Sequence, residues 1–286
     1  MEKYRLIRRK LEGQGGFRFA TGPRARVKDL LRVHDAGYVN AFLAGTLTAA
    51  QIRRIGFPQV SQLIARTLSS VGATVAASRL ALGEGWSGVL AGGTHHAHGD
   101  FGSGFCVLND IAVAAQTLLD EGLIRKVAVI DLDVHQGDGT AAIFADYDSV
   151  FTFSAHGRHN FPFRKQRSDF DLEFENGTKD AEYLAQLAEH LPKVFAFEPE
   201  IVFYQAGVDA LATDRLGKLS LSEDGLRQRD GMVFEAIRKA ALPCVVTLGG
   251  GYSDPIEFTV NAAANTYRLA AQILRAINPT LSRPSR

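Results

Sequence analysis

Five short apolar runs recur along this chain, and four of them lead directly into residues able to do chemistry. The runs are Gly88–Ala91, Val127–Asp133, Val150–Ser154, Ile201–Gln205 and Cys244–Leu248. The first opens into Gly92-Gly93-Thr94-His95-His96, the second into Val134-His135-Gln136-Gly137-Asp138, the fourth into Ala206-Gly207-Val208-Asp209 and the fifth into Gly249-Gly250-Gly251-Tyr252. Continuous apolar runs this short read as strands buried on both faces, as in a parallel sheet. Stretches with helical spacing alternate with them over 109–119, 180–197, 223–240 and 255–276. Further helices are expected over 3–12, 29–44, 49–55 and 61–82, with Thr48 as an N-cap and Gly45 as a C-cap. The Gly-, Arg- and Pro-rich stretch 14–27 reads as a surface loop, and the polar tail 278–286 as a frayed end. Alternating strands and helices predict one α/β domain over 1–286, built on a mostly parallel sheet flanked by helices.

In such sheets ligands bind outside the carboxyl ends of the strands. His95, His96, Asp133, His135, Asp209 and Tyr252 all fall at or just past those ends. If the second strand stays extended, Asp131, Asp133 and His135 share one face. Buried carboxylates are costly unless they are paired or bind a metal. Asp133, His135 and Asp209 make three ligands, and three protein ligands with a fourth position open to water is the pattern of a catalytic zinc. Alone, Asp209 would read as a turn or cap residue; the D-x-D-x-H pattern in the same sheet favours the ligand.

His95 and His96 are the candidate acid/base pair, each needing a carboxylate on its far nitrogen to set tautomer and charge. Asp131 and Asp138 are the carboxylates available. Tyr252 follows three glycines that permit close backbone approach, and its hydroxyl could donate to a developing oxyanion. These parts describe metal-assisted hydrolysis of an amide. The glycine-rich stretches match neither the dinucleotide nor the P-loop fingerprint, which argues against a nucleotide.

Composition narrows the partners. The 286 residues carry 32 basic and 31 acidic side chains for a net charge of +1, so neither nucleic acid nor an anionic membrane is called for. No apolar run approaches the ~20 residues of a membrane span. Met1-Glu2-Lys3-Tyr4-Arg5 lacks an apolar signal core, and the two cysteines, Cys106 and Cys244, give no disulfide framework. A reducing cytoplasm is the expected setting.

The motifs Gly93-Thr94-His95-His96-Ala97, Gly104-Phe105-Cys106-x-x-Asn109-Asp110, Asp131 to Gly139, Gln205 to Asp209 and Gly249 to Tyr252 resemble, in order, those of the zinc-dependent histone deacetylase superfamily. The stretch Asp214 to Ser222 looks most like its class IV members and their bacterial relatives. The resemblance implies an arginase/deacetylase fold with an eight-stranded parallel sheet. Family members carry a strand and loop before the point matching Met1-Glu2-Lys3-Tyr4, so it also allows one strand fewer. It implies zinc on Asp133, His135 and Asp209, with Asp131 paired to His95 and Asp138 to His96. His96 would be the principal general base and Tyr252 the oxyanion donor. Gly104, Phe105, Phe161 and Leu216 would line the channel for an acyl-lysine arm. A potassium ion is implied near the zinc, held by the backbone of Asp131, Asp133, His135 and Ala155 with the side chains of Asp131 and Ser154.

The expected activity is therefore a zinc-dependent deacetylase or deacylase acting on an acylated lysine peptide or protein. An acylated small amine of the polyamine type is the alternative substrate. A two-metal ureohydrolase would need more Asp and His ligands. A non-catalytic acyl-lysine binder would not need His95, His96 and Tyr252 together.

Overall fold

The computed structural model describes residues 2–274. In chain order it forms α1 (Glu2–Glu12), α2 (Val27–Leu30), α3 (Ala36–Ala44), α4 (Ala49–Ile55), α5 (Ser61–Glu84), β1 (Trp86–Gly88), α6 (Asp110–Asp120), β2 (Val127–Asp131), α7 (Asp138–Phe144), β3 (Val150–Gly157), β4 (Phe170–Phe174), α8 (Asp180–His190), α9 (Pro192–Ala196), β5 (Ile201–Gln205), α10 (Glu223–Lys239), β6 (Cys244–Thr247) and α11 (Ile256–Ile273). The strands pair in parallel in the order β1-β6-β5-β2-β3-β4.

Strand alternation sorts the apolar runs onto two faces. Val127, Val129, Ile201, Phe203 and Val245 pack with Val75 of α5 and Ile111 and Leu118 of α6. Ala128, Ile130, Val202, Tyr204 and Val246 face Ile7 and Leu11 of α1, Tyr183 of α8 and Phe234 of α10. With helices on both sides, β2 and β5 are buried along their whole length, and this is why they read as unbroken apolar runs.

The sheet has six strands among the described residues, where eight were expected. β4 escaped the sequence reading because it is an edge strand: only Leu172 and Phe174 are buried, alternating with Asp171 and Glu173, so no apolar run announces it. β1 occupies Trp86–Gly88 rather than residues 88–91. The helix expected over 29–44 breaks into α2 and α3, because the Asp35 side chain accepts from Tyr38 N and starts a new helix. The helix expected over 180–197 divides where Pro192, lacking a backbone N–H, opens α9. α7 was not foreseen: its opening, Asp138-Gly139, reads as a turn rather than as a helix start. The expectation for residues 278–286 lies outside the described residues. No described helix is long and apolar enough to cross a membrane, and Cys106 and Cys244 are free and buried.

Candidate active site

The carboxyl ends of β2, β5 and β6 and the segment after β1 meet over one cavity of about 500 Å³, which His95, His96, Asp133, His135, Asp209 and Tyr252 line together. Their convergence begins with how β2 ends. The strand stops at Asp131 rather than running to Asp133. Asp131 Oδ1 then accepts from Asp133 N at 3.1 Å, and Asp133 Oδ1 accepts from His135 N at 3.0 Å. Each aspartate thus binds the backbone two residues on, a local bond that competes with extended structure. Asp131, Asp133 and His135 therefore do not share one strand face. Asp131 turns to His95, while Asp133 and His135 turn to Asp209.

Donor atoms of Asp133, His135 and Asp209 all lie within 4.8 Å of one another. His135 Nδ1 is 3.1 Å from both Asp133 Oδ1 and Asp209 Oδ2. The other carboxylate oxygens are held from outside: Asp133 Oδ2 accepts from Gly250 N at 2.7 Å, and Asp209 Oδ1 accepts from Val134 N at 2.9 Å. Glycine is required around them. A Cβ on Gly250 would stand 1.9 Å from Asp209 Oδ2, and one on Gly207 would stand 2.3 Å from Asp133 Oδ2.

Burial and the Asp133 charge push Asp209 up to about 7. Burial alone would also raise Asp133, but His95 and His135 beside it hold it well below the usual carboxylate range. His135 is raised to about 10 against the effect of burial by its bonds to the same two carboxylates. Two buried carboxylates and an imidazole crowded in this way fit a divalent cation: the cation neutralises the pair, and three protein ligands leave a position free.

The paired histidines lie with ring centroids 4.1 Å apart and their planes tilted by 45°. His95 Nδ1 lies 2.6 Å from Asp131 Oδ2, and His96 Nδ1 lies 2.6 Å from Asp138 Oδ1. Their environments nevertheless differ. Against the effect of burial, Asp131 and Asp133 raise His95 to about 9. Burial and the neighbouring His95 lower His96 to about 4. Asp138 also serves a second imidazole, His98, whose Nε2 lies 3.1 Å from Asp138 Oδ2. His98 stacks on Phe101 with centroids 4.3 Å apart.

The cavity wall holds the expected channel residues. The Phe161 ring meets His96 edge-on at 4.8 Å, and a Cβ on Gly104 would strike both rings. Phe105 packs on Phe57 at 5.2 Å, and Leu216 stands half exposed beside the opening. Tyr252 is 40 % exposed, with burial pushing its phenol above the ordinary range. Ser154 is buried opposite Asp131 in the register of β2 and β3, with its Oγ 3.0 Å from His156 Nδ1.

Several supporting residues were invisible to the sequence reading. Arg229, fully buried on α10, donates to Leu132 O at 3.1 Å and Gly207 O at 2.7 Å. It ties together the two segments that carry Asp133 and Asp209, and Asp230 balances its charge at 2.7 Å. Asp110 holds the loop before His95 by accepting from Gly93 N and Thr94 N. Behind that loop, buried His34 donates from Nδ1 to His98 O at 3.0 Å and accepts at Nε2 from Asn109 N at 3.0 Å. The motif Asn109-Asp110 hinted at Asp110's role. An arginine and a histidine among helical residues gave no such sign.

A parallel sheet of this topology brings two His–Asp pairs together beside an Asp-His-Asp cluster that could hold a metal ion. Residues 1–267 match the model of the histone deacetylase domain, and the chain belongs to that family. It is 46 % identical over 242 residues to an uncharacterized protein of Picosynechococcus, covering 84 % of this chain and 81 % of that one. It is 36 % identical to histone deacetylase 2 of Arabidopsis thaliana, over 78 % of this chain and 60 % of the relative. It is 33 % identical to the histone deacetylase-like amidohydrolase of Pseudomonas aeruginosa, over 82 % and 66 %. The chain thus spans under two thirds of the last two relatives. Among solved structures, an HDAC homolog from Aquifex aeolicus superposes with a TM-score of 0.79 at 25 % identity, covering 96 % of this chain and 77 % of that one. The arginase/deacetylase fold holds, on six described strands.

Proposed function

We propose that this chain is a zinc-dependent deacylase that hydrolyses the amide of an acylated lysine side chain. The observation that carries the reading is the meeting, on one cavity, of the Asp133-His135-Asp209 cluster, two His–Asp pairs and Tyr252. Asp133, His135 and Asp209 are the residues that would hold zinc. Zinc, when bound, supplies a Lewis acid for the acyl carbonyl and a water of lowered pKa. Asp138 fixes the Nδ1–H tautomer of His96, which leaves Nε2 unprotonated and able to take a proton as general base. His95, hydrogen-bonded to Asp131, would give a proton to the departing amine. Tyr252 donates its phenol hydrogen to the oxygen that becomes anionic. Gly104, Phe105, Phe161 and Leu216 form walls that exclude water around the acyl-bearing arm. A potassium ion on the backbone of Asp131, Asp133, His135 and Ala155, with Asp131 and Ser154, would stiffen the end of β2.

The charge lining the cavity favours an acyl-lysine peptide over a polyamine. Arg53, Arg54, Arg66 and Lys218 line it, and among the described residues its carboxylates are those of Asp133 and Asp209 alone. A cationic polyamine would meet like charge on entry, whereas a neutral or acidic peptide would not. A second reading, a two-metal ureohydrolase, has less support: one three-ligand cluster is present among the described residues.

The test is release of carboxylate from acyl-lysine peptides of graded acyl length and from acylated polyamines, with metal counted per chain. Zinc near one per chain and peptide turnover are expected, with kcat lowered about 100-fold or more in Tyr252→Phe. Folded, zinc-loaded protein that releases nothing from any acyl-lysine would sink the reading, and preferred turnover of polyamines would replace its substrate.

A further inference from the structure

The buried stripe of α1 is Lys3, Ile7 and Leu11, so an ammonium occupies a position where the helix otherwise buries aliphatic side chains. Lys3 is only 6 % exposed. A buried ammonium is costly unless its donors are met, and burial lowers its pKa here. Its Nζ donates to Gly249 O at 3.2 Å and to Gly251 O at 3.3 Å. The same nitrogen lies 4.6 Å from the centroid of the Tyr252 ring, within the range of a cation–π contact.

Both acceptors belong to the loop that presents Tyr252. Gly249 and Gly251 have φ of +65° and +139°, and three consecutive glycines have no side chains with which to hold a conformation. The loop must be fixed from outside. Asp133 takes Gly250 N and Asp214 takes Tyr252 N at 2.5 Å. Lys3 takes the two carbonyls and covers one face of the phenol ring. Lys3 lines the adjoining cavity rather than the main one, so it does not meet the reacting groups directly.

We infer that Lys3 is a positioning residue for Tyr252, clamping the glycine loop so that the phenol points at the developing oxyanion. The inference rests on the reading of Tyr252 as oxyanion donor. It predicts that Lys3 acts on turnover and only through Tyr252.

The experiment is a double-mutant cycle on an acyl-lysine peptide, using wild type, Lys3→Met, Tyr252→Phe and the double variant, with zinc content and thermal unfolding recorded for each. Lys3→Met is expected to lower kcat about 10-fold or more, with KM and zinc content held within about twofold. Lys3→Arg, which keeps the charge and the donors, is expected to recover most of that loss. In the Tyr252→Phe background the Lys3 substitution should add less than about twofold. Losses that multiply in the double variant, or a change confined to KM, would overturn the inference. If Tyr252→Phe by itself keeps full kcat, the reading of Tyr252 fails, and that outcome is distinct from failure of the Lys3 clamp. Should Lys3→Met not fold, Lys3→Gln carries the same cycle.

Discussion

At the floor of the cavity Asp133, Asp209, His95 and His96 are buried and bonded, whereas at its mouth Phe105, Phe163 and Leu216 stand in solvent, Phe163 at 86 % exposure. The floor residues come from the ends of parallel strands locked side by side, and atoms elsewhere in the sheet and its helices hold them in place. Arg229 ties the segment after β2 to the one after β5, and Gly250 N ties Asp133 to the loop after β6. The mouth residues come from loops; Phe105 and Phe163 rest on ring-to-ring contacts, such as Phe161 against Phe163 at 6.3 Å. On the proposed reading, the chemistry falls to the buried, cross-bonded floor and substrate choice to exposed loop segments that can change at little cost in stability.

The largest expected effect is at the floor. If Asp209 holds zinc as proposed, Asp209→Asn should abolish zinc retention, lowering activity more than the roughly 10- to 100-fold typical of residues that merely support a metal site. Elemental analysis beside turnover checks this, and a zinc-replete, active variant would contradict the ligand assignment.

Next comes the clamp beneath the floor. Arg229→Leu leaves Asp230 as an uncompensated buried charge and should cost about 3–5 kcal/mol of stability by chemical denaturation. A loss near zero would mean that the segments after β2 and β5 hold together without it.

The wall behind the histidine loop should respond to acid. Burial holds His34 at about 4, below its ordinary 6.5, even though it donates to the carbonyls of His98 and Gly99. Because its folded value is depressed, the unfolded chain binds the proton first. The stability His34 contributes is complete above about pH 6.5 and is lost as pH falls toward 4, by up to roughly 3 kcal/mol. Denaturation midpoints for wild type and His34→Gln across that window should converge as pH falls; a constant gap between them would refute the role.

The smallest effect is at the mouth. Phe163→Ser should leave stability within about 0.5 kcal/mol and change KM for long peptides more than kcat. A loss of kcat comparable to that of Tyr252→Phe would erase the distinction between floor and mouth.

Much of the floor was legible in advance because its signals are short-range and chemical. Runs such as Val127–Ile130 announce buried strands, and Asp133, His135, Asp209 and Tyr252 follow those strands within a few residues. In a parallel sheet all such ends lie on one edge, so order along the chain implies proximity in space. The edge strand β4 was not legible, since burial of only Leu172 and Phe174 leaves no continuous pattern. Nor was the early end of β2, which depends on Asp131 and Asp133 bonding their own backbone.

The sequence by itself determined the layered α/β architecture, the family and the identity of the residues that gather at the strand ends, because periodicity and motif spacing are local properties. Only the tertiary structure decided that His98 shares Asp138, that Arg229 joins the segments after β2 and β5, and that Lys3 reaches the loop of Tyr252. Those contacts join residues tens to hundreds of positions apart. A polar side chain on a helix shows what it serves only when the surfaces packed around it are known.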